Sequence, residues 1–63
     1  MEELIVRQLQ DAGWRVEVGY DASRGFWAKA RRSQQTIQTG THPSLLAALE
    51  ELRDRIHQLP APV

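Results

Sequence analysis

Trp14-Arg15-Val16-Glu17-Val18-Gly19-Tyr20 and, five residues on, Phe26-Trp27-Ala28-Lys29-Ala30-Arg31-Arg32 are the stretches whose reading decides the fold. In the first, Trp14, Val16, Val18 and Tyr20 alternate with Arg15, Glu17 and Gly19, the period of two that marks a half-buried strand. In the second, Phe26, Ala28 and Ala30 alternate with Trp27, Lys29 and Arg31. Between them Asp21-Ala22-Ser23-Arg24-Gly25 supplies turn chemistry, so the two runs read as an antiparallel hairpin. Ser33 and Gln34 turn the chain again into a polar third strand around Gln35 to Thr39. Ile37 is its one strongly apolar residue, and Gly40 ends it.

Outward from this core of strands the period changes. Ile5, Leu9 and Ala12 recur at helical spacing, Glu2 and Glu3 suit the positive end of a helix, and Gly13 suits a left-handed cap, which predicts a helix over 2–12. Leu45, Leu49, Leu52, Ile56 and Leu59 form the apolar stripe of a second helix. Thr41 is its expected N-cap, Pro43 lies in its first turn and Pro60 stops it. The fold class expected is α+β: an αβββα two-layer sandwich, a three-stranded antiparallel meander with two helices on one face. Residues 1–59 make the single domain and 60–63 a flexible tail. The small Ala28 and Ala30 let a helix approach the sheet closely.

Sixty-three residues allow one core, and a chain of this size buries only roughly 60% of the surface its unfolded form exposes. There is no cysteine, so neither a disulfide framework nor a thiolate metal site is available and a reducing, cytoplasmic setting is expected. An apolar share of 41% with 25% charged residues is that of a folded domain. The opening Met1-Glu2-Glu3 lacks the basic and apolar runs of a signal peptide, and no stretch reaches the ~20 apolar residues of a membrane span. The net charge of zero is unevenly distributed. Residues 1–13 carry Arg7 against Glu2, Glu3 and Asp11. Residues 14–40 carry Arg15, Arg24, Lys29, Arg31 and Arg32 against Glu17 and Asp21 alone. Residues 41–63 carry Arg53 and Arg55 against Glu50, Glu51 and Asp54. Positive charge therefore concentrates where the strands are expected.

With Phe26 pointing inward, the opposite sheet face presents Trp27, Lys29 and Arg31 beside Arg15 and Glu17, with Thr36 and Gln38 from the third strand. Such a face suits the apolar centre of a protein interface, where Trp and Arg are enriched, or a surface that tracks phosphates and stacks a base, with Arg24 and Arg32 adding charge. The plainer alternative is a solvated face on which Trp27 packs along the stems of Lys29 and Arg31. The uncharged third strand, with Thr36, Ile37 and Gln38 at a sheet edge, is a second candidate, able to pair with a partner strand or with a copy of itself. Glu51 and Arg55, four apart on the last helix, read as a solvated pair.

Catalytic signals are missing. His42 and His57, the only imidazoles, lack a second ligand at metal spacing, Ser23 and Ser44 sit in no nucleophile motif, and the four glycines are dispersed rather than gathered into a phosphate loop. No enzyme activity, metal, cofactor or small-molecule substrate is expected.

The element order and length resemble the double-stranded RNA-binding domain, with Gly40, Ser44 and Ala47-Ala48 near that family's glycine, serine and alanine positions. The family's phosphate-binding lysines fall on Ser44-Leu45-Leu46-Ala47, which has no cation. Gly25–Arg32 with Thr39-Gly40-Thr41 and Ala47-Ala48-Leu49 also resembles two ββα patterns, each over about half the chain. One is the arm-type DNA-binding domain of phage integrases, whose basic, aromatic hairpin implies binding in the major groove. The other is the partial ribonuclease-H-like fold of HicB-type antitoxins. The function expected is a non-enzymatic protein-interaction or regulatory module, working through the sheet face or the third-strand edge and able to form a homodimer. The alternative is a nucleic-acid binder using the same face; zero net charge weighs against it, because phosphate contacts dominate such affinity.

Overall fold

The computed structural model, described here over residues 1–60, contains α1 (Glu2–Asp11), β1 (Arg15–Asp21), β2 (Gly25–Arg32), β3 (Gln35–Gln38) and α2 (Leu45–His57). Ile5 and Leu9 are the buried residues of α1, while Ala12, expected on the same face, is exposed at the helix end. Gly13, at φ 94°, turns the chain out of the helix. Its N–H donates to the Gln10 carbonyl and that of Trp14 to the Leu9 carbonyl, which satisfies two terminal acceptors and aims the next residue at the sheet.

The sheet order is β1-β2-β3, with β1 and β2 paired antiparallel from Arg15↔Arg31 to Asp21↔Gly25 and β2 and β3 from Lys29↔Gln38 to Arg32↔Gln35. Ser23 closes the first turn: its N–H and hydroxyl donate to Asp21 Oδ1 at 2.9 and 2.8 Å. The hydroxyl first, and then the amide, hold the Asp21 carboxyl below its usual value. Ser33, at φ 55°, occupies the second turn.

Ala28 and Ala30 are fully buried at the centre of the inner face, where their small side chains admit α2 against β2. Ala48, Leu49 and Leu52 of α2, Ile5 and Leu9 of α1, and Trp14 complete the core, with Leu45, Ile56 and Leu59 of the predicted stripe packed at its margin. Both helices thus lie on one face of the meander, as the alternation predicts. The cover is incomplete along β1. Trp14 is buried and Val16 half-buried, but Val18 and Tyr20, expected to be covered with them, are 48% and 63% exposed.

Two details of the connection into α2 differ from the sequence reading. Ser44, not Thr41, is the N-cap: its backbone is extended and its hydroxyl accepts the Ala47 N–H at 3.1 Å. The reason is His42, whose N–H and carbonyl both pair with Phe26 at 2.8 Å, so the chain is still strand-like there and Pro43 precedes the helix rather than opening it. β3 stops at Gln38, and the next residue, Thr39, is buried. Thr39 donates its N–H to the Ala28 carbonyl at 2.9 Å and accepts the Ala28 N–H on Oγ1 at 3.0 Å, so a side chain completes the ladder where the strand ends. The helix ends at His57, with Gln58 as C-cap. Of the expected tail 60–63, Pro60 is exposed and 61–63 lie outside the described residues.

Candidate interaction surfaces

The pairing register arranges the outer sheet face in four rows: Arg15, Arg31 and Thr36; Glu17, Lys29 and Gln38; Gly19 and Trp27; Asp21 and Gly25. No described helix lies over it, since both pack against the opposite face. Trp27 points outward, and its indole lies across Gly19. A Cβ at Gly19 would fall within the indole, so the absence of a side chain there lets the ring lie down on β1 and leaves it half-buried. Trp27 therefore packs on the neighbouring strand's backbone rather than standing free among the cations.

Charge on this face is smaller than its composition suggests. Lys29 Nζ sits 3.5 Å from Glu17 Oε2, directly across the ladder, and the two largely cancel. Arg15 and Arg31 lie opposite each other, both exposed, and among the described residues neither has an acidic partner. Arg24 is exposed in the hairpin turn, beyond the last row.

Arg32 does not belong to this face. It shares the inward parity of Ala28 and Ala30, its guanidinium lies 4.3 Å from the centroid of the Trp14 ring, and its Nη1 donates to the Ala12 carbonyl at 3.0 Å. A residue read as a ligand contact is instead a clamp between β2 and the end of α1. The expected cationic set thus divides: Arg15, Trp27, Lys29 and Arg31 are together, Arg24 stands at the hairpin end, and Arg32 is on the other side of the sheet.

The two edges differ. Thr39 and Ala28 exchange bonds, and by alternation the backbone groups of Thr36 and Gln38 turn away from β2. The Gln38 carbonyl accepts Arg55 Nη1 at 3.0 Å, so α2 reaches over and occupies part of this edge. Arg55 Nε also meets Glu51 Oε2 at 3.0 Å, and Glu51 Oε1 bonds His42 Nε2. The pair read as solvated is thus part of a chain of contacts tying α2 to β3 and to the His42 bridge. Spacing alone could not reveal it, because its ends are joined only by the fold. The opposite edge, the seven-residue β1, is longer than the four-residue β3. Val16, Val18 and Tyr20 direct their N–H and carbonyl groups away from β2, and among the described residues none of these groups has a hydrogen-bond partner. Val18 and Tyr20 alternate as core residues do, so nothing in the sequence pattern marks this edge as open.

Beside it, Leu4 of α1 is 52% exposed, and an open groove of about 600 Å³ runs between Leu4, Val6, Val18, Leu45 and Leu49. Among the described residues no three of His, Asp or Glu converge as metal ligands would, and no helix is long and apolar enough to cross a membrane. Comparison with protein-family models, with curated proteins and with solved structures gives no match.

Proposed function

We propose that the chain is a small non-enzymatic interaction module, regulatory in character, that binds a partner protein through its outer sheet face. The observation that carries this reading is Trp27 laid over Gly19 in the middle of an uncovered sheet, with Arg31 and Arg15 in the row next but one. A flat aromatic already held in place, with guanidinium groups two rows away on the same face, combines the residue types in which protein interfaces concentrate binding energy. The ring loses little freedom on binding, because the backbone of β1 already fixes it.

The adjacency of Arg15 and Arg31 favours nucleic acid as a second reading, since two unpaired guanidinium groups across one ladder step suit a phosphate. Pairing of Lys29 with Glu17 and the inward position of Arg32 support the protein reading over it, because they remove two of the cations such a ligand would use.

Amide NMR titration of labelled protein with duplex DNA, duplex RNA and single-stranded oligonucleotides, at low and then high salt, separates the two. The expected result is no saturable shift in residues 15–31. Salt-sensitive shifts centred on Arg15 and Arg31 replace the protein reading with the nucleic-acid one. The positive arm is affinity capture with the wild type and with Trp27→Ala and Arg31→Glu. A partner lost with both variants supports the outer face, and one retained by both removes it.

A further inference from the structure

The open edge of β1 has a symmetry in its sequence. Reading Arg15-Val16-Glu17-Val18-Gly19-Tyr20-Asp21 against a reversed copy of itself places Val18 opposite Val18, Val16 opposite Tyr20, Glu17 opposite Gly19, and Arg15 opposite Asp21 at both ends. The hydrogen-bonding parity agrees with this register: Val16, Val18 and Tyr20 are the residues whose N–H and carbonyl groups point outward, and they meet each other in it.

We infer that β1 is a self-pairing edge, through which two copies of the chain form a symmetric antiparallel dimer centred on Val18. This goes beyond the outer-face reading and does not depend on it. Two three-stranded sheets become one continuous sheet, an interface of the self-complementary kind that a two-fold axis requires.

Charge selects the register as well as the partner. Sliding one copy so that Val16 faces Val18 brings Glu17 opposite Glu17. Sliding it the other way, so that Val18 faces Tyr20, brings Glu17 opposite Asp21 on both sides of the axis. Both alternatives place like charges directly across the ladder, which is destabilising. The Val18-centred register uses every residue of the strand and joins Arg15, now facing only Arg31, to a carboxylate on the second copy. Asp21 is available for this because its one engaged oxygen, Oδ1, receives Ser23 from within the turn.

The inner side of the same edge is where apolar surface is left uncovered. Val18, Tyr20 and Leu4 are about half or more exposed, and the groove between α1, Val18 and the start of α2 opens beside them. Pairing through β3 lacks these features: that strand is shorter, uncharged, and has its Gln38 carbonyl bonded to Arg55.

The test uses purified full chain and no other partner, so its outcome is separate from that of the Trp27 face. Size-exclusion chromatography with light scattering over a concentration series is expected to give a mass rising from 7.2 kDa toward twice that value. Arg15→Glu, which sets two acidic residues at each end of the interface, weakens the dimer at least about tenfold in dissociation constant while leaving amide dispersion unchanged. Val18→Lys, which sets two cations at the axis, does the same. In a mixed sample of labelled and unlabelled chain, intermolecular NOEs join Val16 to Tyr20. A wild type that remains at 7.2 kDa at millimolar concentration overturns the inference. So does a dimer indifferent to Arg15→Glu, or one whose intermolecular NOEs arise from Thr36 and Gln38.

Discussion

Arg32 lies over Trp14, its guanidinium carbon 4.3 Å from the ring centroid, while one of its nitrogens donates to the carbonyl of Ala12. This joins the end of β2 to the last turn of α1 across the buried Trp14, and it makes Arg32 a stability residue. Arg32→Ala is expected to cost about 1–2 kcal/mol, from lost stacking, packing of the stem and the carbonyl's partner. Urea denaturation measures it. Arg32→Lys recovers only part, since an ammonium cannot stack and donate in the same plane.

Gly19 makes room for the Trp27 indole. Gly19→Ala should lift the ring from β1, moving the Trp27 indole N–H resonance toward that of a solvent-exposed ring while that of buried Trp14 stays in place. A loss of about 1 kcal/mol in stability accompanies it, within the range for displacing a packed aromatic.

Thr39 completes the β2 ladder with its hydroxyl in a buried setting. Thr39→Val, nearly the same shape, leaves the Ala28 N–H without its acceptor and should cost about 1–3 kcal/mol. Thr39→Ser keeps the acceptor and should lose much less. Chemical-denaturation midpoints of the two variants decide the matter.

Ser44→Ala removes the cap of α2 and should lower stability by about 1 kcal/mol, whereas Thr41→Ala, at the position the sequence suggested, should be close to neutral. Thermal unfolding of the pair distinguishes the two assignments.

Asp21 is held below its usual pKa by Ser23, so its ionised form is favoured in the folded chain. A depressed folded-state pKa contributes stability above the unfolded value, near 3.8, and loses it as pH falls through the folded one. Asp21→Asn should therefore flatten the fall in urea midpoint below about pH 4, measured at a protein concentration low enough to keep the chain monomeric. An identical acid limb in both proteins would remove Asp21 from the account.

Much of this structure can be read from the chain's periodicities. The change from period three-and-four to period two at Trp14, and back at Leu45, marks where helices meet strands, and it places Trp27 on the outer face from parity alone. The same parity already set Arg32 with Ala28 and Ala30. Charge alone joins Arg32 to the outward cations, and alternation separates it from them. What periodicity does not carry is how far each helix extends over the sheet. Ten residues of α1 span about 15 Å, and seven of β1 about 23 Å, so a helix returning from Trp14 runs short of Tyr20. Apolar residues at Val18 and Tyr20 therefore look like core and form an edge. The His42–Glu51–Arg55–Gln38 connection likewise depends on tertiary placement, since nothing in local spacing pairs a residue before α2 with one in its middle.

Because α1 and α2 share one layer on the side opposite Trp27, the sheet is backed by helices on one face only among the described residues. The molecule is a plate with a helical back and a bare front, so a ligand reaches the face on which Trp27 lies without displacing any described element.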